Sequence, residues 1–195
     1  MDTPQTPGKN LRVYLLGASA LGRQAFTLLL QAELEIQPVA SSDFVPTAIW
    51  DCLRQKPALA VVDCDHPSAN IVDSVRMIPR LLPDIRILIV SAAIDPAAVR
   101  VWSACRIQGY VVKDGGVAEL RQALAALAAG RDFFSAGVQA ALSADAGANG
   151  LERLSRRCHD TGGLSLGTAD LYEQDLSEMR ARPGGASGGA LRPGV

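Results

Sequence analysis

Paired cysteines are missing from this chain. Its four cysteines, Cys52, Cys64, Cys105 and Cys158, stand far apart and form no CxxC pair. That leaves no disulfide framework and no zinc ribbon, and the plain reading is reduced thiols in a cytoplasmic protein. Long apolar runs are missing too, since none approaches the ~18 residues of a membrane span. Neither sign of charge is in excess: the formal net charge is −1, which gives no overall pull toward nucleic acid or membrane. There is no internal repeat and no Tyr-x-x-x-Lys pair of the hydride-transfer kind. Near the N-terminus, Lys9 and Arg12 precede Val13 to Leu16 and Ala18-Ser19-Ala20, a faint likeness to an export signal. Gly17 interrupts it, and the segment continues as an amphipathic helix, so it reads as folded chain.

What is present is core. An apolar fraction of 48% over 195 residues suffices for one ordinary domain of about 100 to 150 residues plus a remainder. Residues 1–10, with two prolines and a glycine, read as a flexible tail. Leu11 to Leu16 is a first strand, and the following helix sets Leu21, Ala25, Leu28 and Leu29 at helical spacing. Ile36 to Ala40 is a short second strand, ended by Ser41-Ser42-Asp43. A helix with Ile49 and Leu53 on one side stops before Pro57.

Ala58 to Val62 runs apolar without alternation, the pattern of a strand buried on both faces, and Asp63 closes it. A helix striped by Ile71, Val75, Ile78 and Leu82 follows, and Pro79 inside it should kink or shorten it. Ile85 to Val90 is the fourth strand, ending in Ser91. Asp95-Pro96 opens another helix. Gly109 to Val112 is the fifth strand, closed by Lys113, and a last helix from Val117 to Ala129 carries Leu120, Leu124 and Leu127. Strands alternating with helices imply βα units and a doubly wound α/β fold. From about residue 143 the apolar periodicity fades, and Pro183 to Val195 is nearly all Gly, Ala, Ser, Pro and Arg, a low-complexity end.

In open parallel sheets the chemistry collects at the carboxyl ends of the strands. There stand Gly17-Ala18, Asp63, Ser91 and Lys113. A carboxylate, a hydroxyl and an ammonium at one edge make a phosphoryl acceptor: the carboxylate is the nucleophile, and the other two bind the oxygens of the transferred group.

On these residues the stretch 11–142 resembles the receiver domain of two-component response regulators. The pieces that carry the likeness are Asp63 with Pro67, Ser91-Ala92 after Ile87 to Val90, and Gly109-Tyr110-Val111-Val112-Lys113-Asp114. The stretch Ala129-Gly130-Arg131-Asp132-Phe133-Phe134 is similar to the NarL/LuxR subfamily. The resemblance implies a flavodoxin-like five-stranded parallel sheet of order 2-1-3-4-5. It also implies Asp63 as the phosphorylation position, Ser91 as the switch hydroxyl, Lys113 as the phosphate-binding lysine and Tyr110 as the rotameric aromatic.

One feature departs from the family. Receivers carry an acidic pair after the first strand that holds Mg²⁺ together with the phosphorylated aspartate, and here those positions fall on Gly17 and Ala18. Carboxylates supply most of such a magnesium site, so Asp63 alone should hold the ion weakly or not at all; Asp65 on the loop is a candidate replacement ligand. Phosphoryl transfer uses the metal to neutralise developing charge, which leads us to expect impaired or absent aspartyl phosphorylation, a signalling role rather than an enzymatic one, and no required cofactor. The partners implied are a protein or a second copy on the face of the fourth and fifth helices and fifth strand, with a sensor kinase as a candidate donor.

Other readings compete. Cys64-Asp65-His66 looks like a metal cluster, but adjacent residues do not readily point at one ion. Trp102 suits packing. Gly17 to Gly22 matches G-x-G-x-x-G apart from Ser19, with Asp43 downstream, the outline of a dinucleotide site. Leu151 to Arg157 looks like the opening of a helix-turn-helix, but the apolar spacing of three packed helices is missing beyond Cys158. A DNA-binding regulator with a shortened C-terminal domain is therefore the alternative function, and DNA binding by this chain alone is doubtful.

Overall fold

A computed structural model of the chain describes residues 11–44 and 46–149. The tail expected over 1–10, the helix-turn-helix opening at Leu151 and the low-complexity end lie outside the described residues. Strands and helices alternate along the chain: β1 (Val13–Gly17), α1 (Ala20–Leu34), β2 (Ala40–Ser42), α2 (Pro46–Gln55), β3 (Leu59–Asp63), α3 (Ala69–Leu81), β4 (Arg86–Ser91), α4 (Pro96–Ser103), β5 (Gly109–Val112), α5 (Gly116–Ala128), β6 (Phe133–Phe134) and α6 (Ala136–Asn149). The paired strands are parallel and ordered β2-β1-β3-β4-β5-β6. The expected order 2-1-3-4-5 is present, but the sheet has six strands rather than five. Phe133 and Phe134 add an edge strand to β5, and α6 runs past residue 142 to Asn149.

Alternation along each strand splits the core into two layers. Tyr14, Leu16, Ala60, Val62, Ile87, Ile89 and Tyr110 face α2, α3 and α4. Val13, Leu15, Leu59, Val61, Leu88, Val90 and Val111 face α1 and α5. Burying a large aliphatic side chain fully contributes about 1.5–3 kcal/mol, so both faces of the central strands stabilise the sheet. Gly109 is fixed by close approach: a Cβ there would come within 2.7 Å of Leu88 and 3.1 Å of Leu127.

Local chemistry sets the helix ends. The Ser19 hydroxyl accepts the Gly22 N–H at 3.1 Å to start α1. Asp95 accepts the Ala97 N–H at 2.9 Å to start α4, with Pro96 in its first turn. Past α5, Gly130 takes a φ of 76°, the left-handed geometry that favours glycine. Pro79 sits in the last turn of α3, which ends at Leu81.

Two expectations fail. Leu21 and Leu28 of α1 are 75% and 64% exposed, while Leu30 and Leu34 are buried. The second strand is Ala40 to Ser42 rather than Ile36 to Ala40, and the buried Ile36 precedes it as a core contact.

Candidate functional site

Strand register gathers the site. Gly17 pairs with Asp63 across β1 and β3, Asp63 with Val90 across β3 and β4, and Ser91 with Val112 across β4 and β5. Lys113 follows Val112 and opens a single 3₁₀ turn, Lys113–Gly115. Its ammonium lies 2.8 Å from Asp63 Oδ1 and 3.0 Å from Asp65 Oδ1. Asp65 Oδ1 also accepts the Ala92 N–H at 2.7 Å. One cation therefore bridges two carboxylates, and the residue after Ser91 is tied to the loop after β3.

Burial works against charge on Lys113, but hydrogen bonds and charge from Asp63 and Asp65 outweigh it and raise the ammonium above its ordinary value. For Asp65, burial pushes up, while the Lys113 and Ala92 hydrogen bonds and the Lys113 charge win and lower it. Next to Asp63, the Cys64 thiol is pushed up to about 11, first by burial, with the two aspartate charges adding to the effect. It is a buried structural thiol whose Sγ meets the His66 carbonyl at 3.4 Å.

Ser91 and Tyr110 look inward. The Ser91 side chain is 1% exposed and its hydroxyl donates to the Ala93 carbonyl at 3.3 Å. The Tyr110 hydroxyl meets the same carbonyl at 3.4 Å. Burial, which also raises the Tyr110 phenol, keeps that hydroxyl protonated and donating. The structure thus brings Asp63, Asp65 and Lys113 into direct contact, while the buried Ser91 and Tyr110 hydroxyls share the Ala93 carbonyl. Trp102 is fully buried in the core.

No family model matches the chain. Among curated proteins, the chain is 29% identical over 134 residues to the DNA-binding transcriptional activator DevR/DosR of Mycobacterium tuberculosis, covering 69% of this chain and 62% of that protein. It is 27% identical over 126 residues to the response regulator GacA of Pseudomonas viridiflava, covering 64% and 58%. Over about 69% of its length this chain is similar to response-regulator receiver domains. Two solved structures share the receiver's fold. One is a LuxR-family two-component response regulator from an Aurantimonas species, with a TM-score of 0.61 and 24% identity over 69% of this chain and 96% of that one. The other is the isolated receiver domain of RcsB from Salmonella enterica serovar Typhimurium, solved with the phosphomimetic BeF3-, with a TM-score of 0.57 and 21% identity over 68% and 98%. This chain spans less than two thirds of the length of the two curated relatives.

Magnesium, which the family implies at this edge, does not fit the receiver's donor set. Gly17 and Ala18 bring no carboxylate, and their backbone carbonyls face a cation already: Arg23 Nη1 donates to Gly17 O at 2.5 Å and to Ala18 O at 3.4 Å. The Arg23 stem also fills the space beside Gly17, where a Cβ would lie 3.3 Å from Arg23 Cγ. Asp63 and Asp65 share Lys113. Among the described residues, no group of three or more His, Cys, Asp and Glu is placed to hold an ion, so Cys64-Asp65-His66 forms no such centre.

Sequence reasoning missed two residues, Arg23 and Ser135, and one contact, that of Asp65 with Lys113. Arg23 reaches back from the first turn of α1 over the end of β1, and nothing in its spacing marks it. For Asp65 the sequence suggests a metal ligand, and the structure adds its contact with the Lys113 ammonium. Ser135 is buried, and its hydroxyl accepts the Val112 N–H at 3.1 Å, which anchors the strand end that presents Lys113. Gly17 to Gly22 forms a capped strand-to-helix turn in which Ser19 takes the Gly22 N–H that a pyrophosphate would need. Among the described residues, no helix is long and apolar enough to cross a membrane.

Proposed function

We propose that this receiver acts in signal transduction and transcriptional regulation of the NarL/LuxR type through protein contacts, as a cytoplasmic, non-enzymatic module whose magnesium-dependent phosphorylation of Asp63 is impaired or absent. The observation that carries the reading is the replacement of the acidic pair by Gly17 and Ala18, with Arg23 on their carbonyls. Unit charges about 4 Å apart interact by roughly 4 kcal/mol at an effective dielectric near 20. Two missing carboxylates beside a dication therefore remove several such terms, and a nearby guanidinium adds repulsion. No cofactor is then required.

The partner face in this reading is built by α4, β5 and α5, and serves a protein or a second copy of the chain, with a sensor kinase as the upstream contact. Ile94 before α4 and Val101 on it are 39% and 37% exposed and supply apolar contact area there. On the same side β6 pairs with β5 and α6 packs on α4, so a partner meets those elements as well.

Incubation with acetyl phosphate and Mg²⁺, followed by intact-mass measurement, tests the reading. No phosphoryl mass gain is expected. A full gain that Asp63→Asn abolishes would overturn it. DNA-binding transcriptional regulation is the alternative, favoured by the name of the mycobacterial relative. Salt-dependent retention of this chain on duplex DNA would put it first.

A further inference from the structure

The contacts of Asp65 have a use beyond pairing with Lys113. Asp65 follows Asp63 by two positions, on the loop between β3 and α3. One oxygen, Oδ1, receives two donors from two other strand ends: the Ala92 N–H from β4 at 2.7 Å and the Lys113 ammonium from β5 at 3.0 Å. A backbone N–H and an ammonium aimed at a single oxygen form an oxyanion-binding pair. The same ammonium lies 2.8 Å from Asp63 Oδ1, so the pair is placed to serve an anion carried on, or held beside, Asp63.

We infer that Asp65 is the resident anion of this pocket: its carboxylate occupies the Ala92 and Lys113 donors that an external phosphate or phosphoryl group would need, and keeps the ends of β4 and β5 drawn together without covalent modification. The inference rests on the receiver reading and names what regulates its site. Asp65 is tethered next to its donors, so it competes at a high effective concentration, whereas a free anion competes only at its bulk concentration. It also adds a negative charge where a second anion would have to enter. Together with Arg23 over the end of β1, the pocket carries both its cation and its anion as side chains.

The test compares wild type with Asp65→Ala and Asp65→Asn by titrating inorganic phosphate, a probe that needs no metal, and following the Ala92 amide by two-dimensional NMR. The Asp65 side chain is 42% exposed, and the fold of each variant is checked from the rest of the spectrum. In wild type the Ala92 resonance should stay in place across the titration. In Asp65→Ala it should shift on substitution alone, then shift saturably as phosphate is added, and Lys113→Ala in that background should abolish the response. Asp65→Asn, which keeps an acceptor oxygen without the charge, should fall between the two. Equal behaviour of wild type and Asp65→Ala, whether both respond or neither does, would overturn the inference. The proposed function fails separately, on a mass gain at Asp63 in wild type.

Discussion

Arg23 shows how one side chain changes what a receiver edge is able to hold. With its guanidinium on the Gly17 and Ala18 carbonyls, adding a single acid back should do little, because Arg23 would pair with it. The variant Gly17→Asp/Ala18→Asp/Arg23→Ala is expected to bind Mn²⁺, followed by electron paramagnetic resonance, at least tenfold more tightly than wild type. Equal affinity would mean that these positions do not set metal binding. Asp65 and Lys113 give a second outcome at this scale. Asp65 is lowered below its ordinary 3.8, so its stabilisation is complete above that value and is lost as pH falls through the lower folded value. Lys113 is raised above its ordinary 10.5, so its share is complete below that value and is lost as pH rises through the higher folded one. Both side chains are more than a third exposed, and solvent screening keeps the contribution to about 0–1 kcal/mol. Denaturant midpoints measured across the acid range should therefore fall less steeply for Asp65→Ala than for wild type. Asp63 and Lys113 were legible in the sequence because strand ends are easy to count. Arg23 was not, because its role depends on where a helix face lies over a strand.

Among the elements, α1 is where periodicity misled. Leu28, Leu29 and Leu30 are consecutive, so apolar residues surround the helix and more than one face satisfies a 3.6-residue period. The face turned to the sheet carries Leu30 and Leu34, with Phe26 and Leu29 partly buried. Leu30→Ala should cost about 2–5 kcal/mol through the cavity it leaves. Leu28→Ala should stay within about 0.5 kcal/mol, as at a surface position. Urea unfolding decides this: similar losses at both positions would mean that the helix is rotated from the orientation described. The central strands were easier to read because burial on both faces gives unbroken apolar runs, as in Leu59 to Val62 and Ile87 to Val90. The edge strands were not. β2 has serine at two of its three positions, and β6 is only Phe133 and Phe134, paired with β5.

Across the whole molecule, the doubly wound order followed from the alternation of strands and helices, whereas its closing layer did not. Composition placed the end of the domain near residue 142, because the alanine- and glycine-rich stretch after it lacks a strong apolar stripe. Yet α6 needs only a few contacts to dock. Val138 is fully buried in the layer shared with Trp102, and Leu142 packs against that layer. Ser135 ties the start of α6 to Val112 next to Lys113. A chain ending at Ser135 would lose Val138 and Leu142 and uncover part of α4. At about 1.5–3 kcal/mol for a fully buried aliphatic side chain, its stability should drop by about 2–4 kcal/mol relative to a chain ending at Asn149. A chain ending at Leu142 keeps both side chains and should lie within about 1 kcal/mol of the longer form, since Ser143 and Ala144 are exposed. Thermal and urea unfolding of the three lengths separates the cases. If the Ser135 and Asn149 forms are equally stable, α6 contributes no packing, and the face of α4 is open to partners without it.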